Sequence, residues 1–143
     1  MLKIGINGFG RIGRLVLRAL LEKNDKDICV LAINDLGNLN QNIHLLNYDS
    51  VHGKLPYDCD IKNKSALINN SEIKFYSEKN PSDIPWSRHE IDLVLECTGI
   101  FTKSEDAIKH IKGSVKKVLI SAPASNADIT IVFGVNNNLL NKG

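Results

Sequence analysis

Leu2, Ile4 and Ile6 alternate with Lys3 and Gly5, a short period-two run that predicts a strand and ends in the turn Asn7-Gly8-Phe9-Gly10. The period then changes. Ile12, Leu15, Val16, Ala19 and Leu20 recur at helical spacing on one face, with Arg14, Arg18 and Glu22 on the other. Asn24-Asp25-Lys26-Asp27 closes that helix, and Ile28 to Ile33 is an almost unbroken apolar strand of the kind buried on both faces of a parallel sheet. The first 35 residues therefore predict a right-handed βαβ unit.

Asn38 is placed to cap a second, shorter helix with Leu39, Ile43 and Leu46 inward. Three short strands are expected at Tyr57 to Ile61, Ser65 to Ile68 and Ile73 to Tyr76, divided by Asn63-Lys64 and Asn69-Asn70. Asn tolerates the left-handed backbone of tight turns, so this stretch reads as a small antiparallel insertion. Pro81 and Pro85 stiffen a loop up to Trp86. Parallel texture returns with a strand from Ile91 to Leu95, ending at Glu96-Cys97-Thr98-Gly99. Thr102-Lys103-Ser104-Glu105 matches a capping box and predicts a helix through Ile108 and Ile111. Strands at Val115 to Ile120 and Ile129 to Val135 complete the set. The expected fold is α/β: a Rossmann-type, doubly wound, mostly parallel sheet with a small antiparallel insertion, in one domain over residues 1–143.

Composition narrows the class. With 43% hydrophobic and 24% charged residues the chain can fill one core, which excludes intrinsic disorder. A net charge of +2 gives no electrostatic footprint for nucleic acid, and no apolar stretch is long enough for a membrane helix. Met1 leads directly into the first strand, so no signal peptide is expected. Three scattered cysteines, Cys29, Cys59 and Cys97, argue against a disulfide framework and fit a reducing cytoplasm. They form no metal-binding pair with each other or with the four histidines.

Gly8-Phe9-Gly10-Arg11-Ile12-Gly13 matches G-x-G-x-x-G in the context that gives the pattern meaning, a strand before it and an amphipathic helix after it. Gly8 permits the turn, Gly10 lets a pyrophosphate approach the backbone, and Gly13 allows close helix–strand packing. The helix start then turns free N–H groups and its positive dipole end toward phosphate. Asp35 follows Gly13 by 22 residues, at the end of the second strand, where a carboxylate can accept from both adenosine ribose hydroxyls and repel a 2′-phosphate. NAD is thus favoured over NADP. Thr98-Gly99 and Ser121-Ala122-Pro123 end later strands and should line the same crevice. Cys97 reads as a buried thiol, Asp49 and His52 as a turn contact, Asn136 to Asn138 as a solvated turn, and His44, His89 and His110 as surface residues.

Gly5-Ile6-Asn7-Gly8-Phe9-Gly10-Arg11-Ile12-Gly13-Arg14 closely resembles the phosphorylating glyceraldehyde-3-phosphate dehydrogenase family. The likeness continues in order through Ala32 to Asp35, Leu46 to Lys54, Ile84-Pro85-Trp86, Glu96 to Gly99, Ser121 to Pro123 and Val132 to Asn136. It implies NAD-dependent oxidation of an aldehyde coupled to phosphorylation through a cysteine thiolate, within glycolysis. It further implies that Arg11 and Ile12 meet the pyrophosphate through the first helix turn and that Asp35 holds the ribose. Lys79, where the family usually has Arg, would contact the adenine side, and Thr98 and Ser121 would border the cofactor. Leu36 and Gly37 stand where NAD-specific members commonly carry Pro and Phe, which leaves some NADP use open.

One departure matters. The family's nucleophile lies in an Ala-Ser-Cys-Thr-Thr-Asn motif shortly after the segment matching Val132 to Asn136, and no such motif occurs before Gly143. No catalytic residue is therefore assigned. The resemblance implies an NAD domain inactive by itself, whose partners are the catalytic half of the same protein and, for the parent, further copies in a homotetramer. Erythrose-4-phosphate dehydrogenase shares the scaffold, although Asn34-Asp35 favours the first family. A free-standing nucleotide-binding or redox-sensing module is the alternative from another class.

Overall fold

The computed structural model describes residues 1–140. Strand β1 (Leu2–Asn7) runs into α1 (Arg11–Lys23), which returns to β2 (Ile28–Asn34) parallel to β1. Helix α2 (Leu39–Asn47) follows, capped as expected by Asn38, whose side chain accepts from the Gln41 N–H. A hairpin of β3 (Tyr48–Asp49) and β4 (Gly53–Lys54) leads to β5 (Cys59–Lys62), β6 (Ser65–Ile68) and β7 (Ser71–Tyr76). Asn63, Asn69 and Asn70 all have positive φ, so the two turns use the left-handed conformations read from their residue types. Strand β8 (Leu93–Glu96), the short helix α3 (Ser104–Ala107) and β9 (Lys117–Ile120) complete the described elements of the main sheet and its crossover.

Seven strands form one sheet in the order β5-β6-β7-β2-β1-β8-β9. β7, β2, β1, β8 and β9 are parallel, whereas β5–β6 and β6–β7 are antiparallel. The antiparallel insertion is thus an extension of the main sheet on the β7 side. Chain order reverses between β1 and β8, and such a switch point opens a crevice at the carboxyl ends of the strands.

Alternation along the strands builds a core on each face. Ile4, Ile6, Val30, Ile33 and Leu95 pack with Phe9 and Leu17, under α1, and with Ile43 and Leu46 of α2. Ala32, Val94, Ile84, Ile91 and Val115 surround the fully buried Trp86 on the other face. Gly5 faces that ring, and a Cβ there would stand 2.5 Å from Trp86 Cζ3.

Four expectations are corrected. Val16 and Leu20 of α1 pack on the core as predicted, but the fully buried residues are Gly13 and Leu17, and Ile12 is 51% exposed. Thr102 does not cap α3; the N-cap is Lys103, with no side-chain bond, because the backbone at 102–104 pairs with Ser125. After Ala107 the helix tightens into a 3₁₀ turn over Ile108–His110, and His110 is completely buried rather than on the surface. Ile129 to Val135 forms no strand. Asn136 instead accepts from the Val132 N–H at 2.6 Å and donates to the Thr130 carbonyl at 2.9 Å, a local closure that competes with sheet pairing.

Candidate functional site

At the switch point the carboxyl ends of β1, β2 and β8 meet the start of α1. Gly8 has φ +93°, and a Cβ there would press on the backbone of Cys97 and Thr98 at 2.7–2.9 Å. At Gly13 a Cβ would lie 2.2 Å from the Gly8 carbonyl oxygen and 3.5 Å from Ile6 Cγ2, so the tightest approach is of the helix to the turn rather than to the strand. Gly10 differs from both. Its φ is −74°, open to any residue, and a Cβ would meet nothing within 4 Å. Neither strain nor packing within the chain requires glycine there; the space it leaves lies at the mouth of the helix. That helix start carries no side-chain cap and no acidic residue in its first turn, so no side chain of its own turn answers its first N–H groups.

Asp35 stands directly across the turn. Its Oδ1 accepts from the Phe9 N–H at 2.8 Å, and its Oδ2 from the Gly37 N–H at 2.8 Å and Asn42 Nδ2 at 3.1 Å. The carboxylate therefore serves as a turn residue and also ties the Gly-rich loop to the end of β2. A cleft of about 360 Å³ lies beside it, lined among others by Leu39, Asn42, Lys64, Tyr76 and Glu78. Lys79 follows Glu78 in the chain and is exposed. The Arg11 guanidinium points away, bonded at 3.2 Å to Asp49, so the residue offers the mouth its backbone. Asp49 also accepts from the Val51 and His52 N–H groups, which with Arg11 hold its carboxyl below the usual range; the Asp49–His52 contact is the backbone turn expected.

Behind the mouth runs a buried polar network that sequence reasoning missed. Asn34 donates to Asn7 Oδ1 at 2.9 Å, and Asn7 donates to Glu96 Oε2 at 2.8 Å. Glu96 Oε1 accepts from both the N–H and the hydroxyl of Thr98, and Thr98 Oγ1 in turn accepts from the Ile100 N–H. His110 Nε2 lies 2.6 Å from Glu96 Oε2, and Trp86 Nε1 donates to His110 Nδ1 at 3.1 Å. An indole N–H only donates, so Nδ1 accepts and the imidazole proton sits on Nε2, directed at the carboxylate. Burial opposes the Glu96 charge, but the donors from His110, Thr98 and Asn7 outweigh it and hold the carboxyl below its ordinary range. Ser121 closes the far side, its hydroxyl and its N–H both donating to the Glu96 carbonyl. One local signal was available: Asn7, Asn34 and Glu96 each terminate an apolar strand.

Among the described residues no group of His, Cys, Asp and Glu is arranged to hold a metal ion. No described helix is long and apolar enough to cross a membrane.

Residues 2–104 match the family model for the NAD binding domain of glyceraldehyde 3-phosphate dehydrogenase. This chain belongs to that family. It is 53% identical over 137 residues to glyceraldehyde-3-phosphate dehydrogenase 1 of Bacillus cereus, a match covering 96% of this chain and 40% of the relative. To the Geobacillus stearothermophilus enzyme it is 51% identical over 136 residues, covering 95% and 40%. To the plasmid glyceraldehyde-3-phosphate dehydrogenase of Cupriavidus necator it is 46% identical over 141 residues, covering 97% and 42%. The chain spans about 40% of the length of the first of these relatives. It is an α/β, Rossmann-type NAD-binding domain of the glyceraldehyde-3-phosphate dehydrogenase family, with NAD as its cofactor.

Proposed function

We propose that this chain is the coenzyme-binding part of a phosphorylating, NAD-dependent glyceraldehyde-3-phosphate dehydrogenase, with the domain spanning residues 1–143. The open approach that Gly10 leaves, in front of an uncapped helix start, carries the assignment of the pyrophosphate position. Gly8 and Gly13 shape the turn, and the N–H groups of Arg11 and Ile12 in the first helix turn bind the phosphates. Asp35 accepts from the adenosine ribose, Lys79 borders the adenine, and Thr98 and Ser121 line the far edge of the cofactor. Bound there, NAD supplies a hydride acceptor.

The reacting thiol comes from outside this chain. Burial pushes the thiols of Cys29, Cys59 and Cys97 all upward, the reverse of what an attacking thiolate needs. The partners proposed are therefore the catalytic part of the same protein and, in the assembled enzyme, further copies in a homotetramer. The compartment proposed is the cytoplasm.

Calorimetric titration with NAD and then NADP tests the reading. Saturable binding with NAD preferred is expected, together with no aldehyde-dependent reduction of NAD by the 143-residue chain alone. A folded chain that binds neither nucleotide would overturn the site, and turnover would overturn the placement of the thiol.

A further inference from the structure

We infer that Asn42 is a positioning residue for coenzyme choice, fixing the Asp35 carboxylate so that the site selects a free ribose 2′-hydroxyl over a 2′-phosphate. The inference rests on the reading of Asp35 as the ribose acceptor.

Asn42 is out of character for its position. Helix α2 buries it alongside Ile43 and Leu46, and it is only 7% exposed. A buried amide is costly unless it is bonded, and an apolar side chain would satisfy the same face without a partner. The helix start does not need it, since Asn38 already caps Gln41. Its partner is Asp35 Oδ2, at 3.1 Å.

Gly37 supplies a second, independent observation. A Cβ at this position would lie 2.8 Å from Asp35 Oδ2 and 3.4 Å from Asn42 Oδ1. Glycine keeps open the space in which the carboxylate and the amide meet. Any other side chain would press on the carboxylate oxygen that Asn42 holds.

A carboxylate offers about four acceptor positions. Gly37 and Asn42 occupy those of Oδ2, and Phe9 takes one of Oδ1. One position remains, on Oδ1, so the carboxylate has room for one ribose hydroxyl rather than the two expected from the sequence. A 2′-phosphate has no proton to spare for it at neutral pH and meets a charge that three donors keep from swinging aside. The adjoining cleft of about 360 Å³ is lined by Lys64. Asp35 and Asn42 line the same cleft, so the fixed carboxylate charge faces a 2′-phosphate placed there.

The decisive variant is Asn42→Leu, which removes the donor while keeping similar volume on an apolar helix face. Calorimetric titration with NAD and with NADP is compared between the unaltered chain and the variant, alongside thermal unfolding. The NAD-over-NADP preference is expected to narrow about tenfold, the scale of one lost hydrogen bond to a charged group, while the unfolding midpoint stays or rises. A residue that merely supports the fold would move the midpoint and leave the preference alone. Gly37→Ala, which displaces the carboxylate with Asn42 intact, should narrow the preference in the same direction and serves if the first variant does not fold. An unaltered chain that saturates with NAD, with a ratio unmoved in the folded variants, overturns the role of Asn42 alone. An unaltered chain that does not bind NAD overturns the ribose reading, and this inference with it.

Discussion

Nε2 of His110 lies 2.6 Å from Oε2 of Glu96, with both side chains sealed from solvent behind the Gly-rich turn. The two residues come from different elements, β8 and the 3₁₀ turn after α3, and between them they join both faces of the sheet. Glu96 reaches β1 through Asn7 and the outgoing loop through Thr98, while His110 reaches Trp86 on the other face. The strand ends that frame the mouth are thereby held by one hydrogen-bonded network with a carboxylate at its centre.

Glu96→Gln should therefore destabilise the chain by about 2–3 kcal/mol, because the carboxylate's donors then face an amide with only one accepting atom. Chemical denaturation measures this. The pH dependence has a definite sign. The folded-state pKa of Glu96 is depressed, so its contribution is fully present above the ordinary carboxylate range and is lost as pH falls through the depressed folded value. Stability should fall on acidification, and the Gln variant should show a shallower acid limb. Equal acid slopes for the two proteins would remove Glu96 from this role.

Trp86 is the only tryptophan, so its fluorescence reports directly on the second core. Gly5→Ala puts a methyl 2.5 Å from the ring and forces either the ring or β1 to move. A cost of about 1–3 kcal/mol is expected, as for overpacking elsewhere, with a shifted emission maximum in the folded protein. Trp86→Phe removes the donor to His110 but keeps much of the packing, so it should cost less than Trp86→Ala, which is expected at about 3–5 kcal/mol. Urea denaturation followed by circular dichroism ranks the two Trp86 variants.

The parallel units, the Asn turns and the Asn38 cap were legible because each depends on residues close together in the chain. Helical period and a left-handed Asn are local properties. His110 was misplaced because its burial depends on Glu96 and Trp86, 14 and 24 residues away in the chain, and no periodicity encodes such a meeting. Ile129 to Val135 has the composition of a strand, but the Asn136 side chain satisfies its backbone locally. The close approaches at Gly8 and Gly13 follow from glycine spacing, whereas the Asn42 contact with Asp35 was hidden among the inward residues of its helix.

The cysteines give a chemical prediction. With burial as the main cause, the thiols of Cys29, Cys59 and Cys97 are all pushed above their ordinary value. Alkylation by iodoacetamide at pH 7 should be slower than for a free thiol and should rise only in strongly alkaline solution. Mass spectrometry over time reads each site. Rapid labelling of Cys97 at neutral pH would show an activated thiolate in this chain after all.

The three glycines of the loop separate folding from binding. Gly8→Ala and Gly13→Ala place a methyl against backbone, at 2.7 Å from the Thr98 nitrogen and 2.2 Å from the Gly8 oxygen. Neither contact can relax by turning a side chain, and Gly8 adds a positive φ, so both variants should lose thermal stability by several degrees. Gly10→Ala meets no atom within 4 Å and needs no unusual backbone, so its unfolding midpoint should match that of the unaltered chain within about a degree. Its methyl, however, occupies the approach to the first-turn N–H groups, and NAD affinity should drop by at least about tenfold. Thermal unfolding and calorimetric titration on the same three variants make the comparison internal. If Gly10→Ala bound NAD as well as the unaltered chain, the space in front of Gly10 would not be where the pyrophosphate lies.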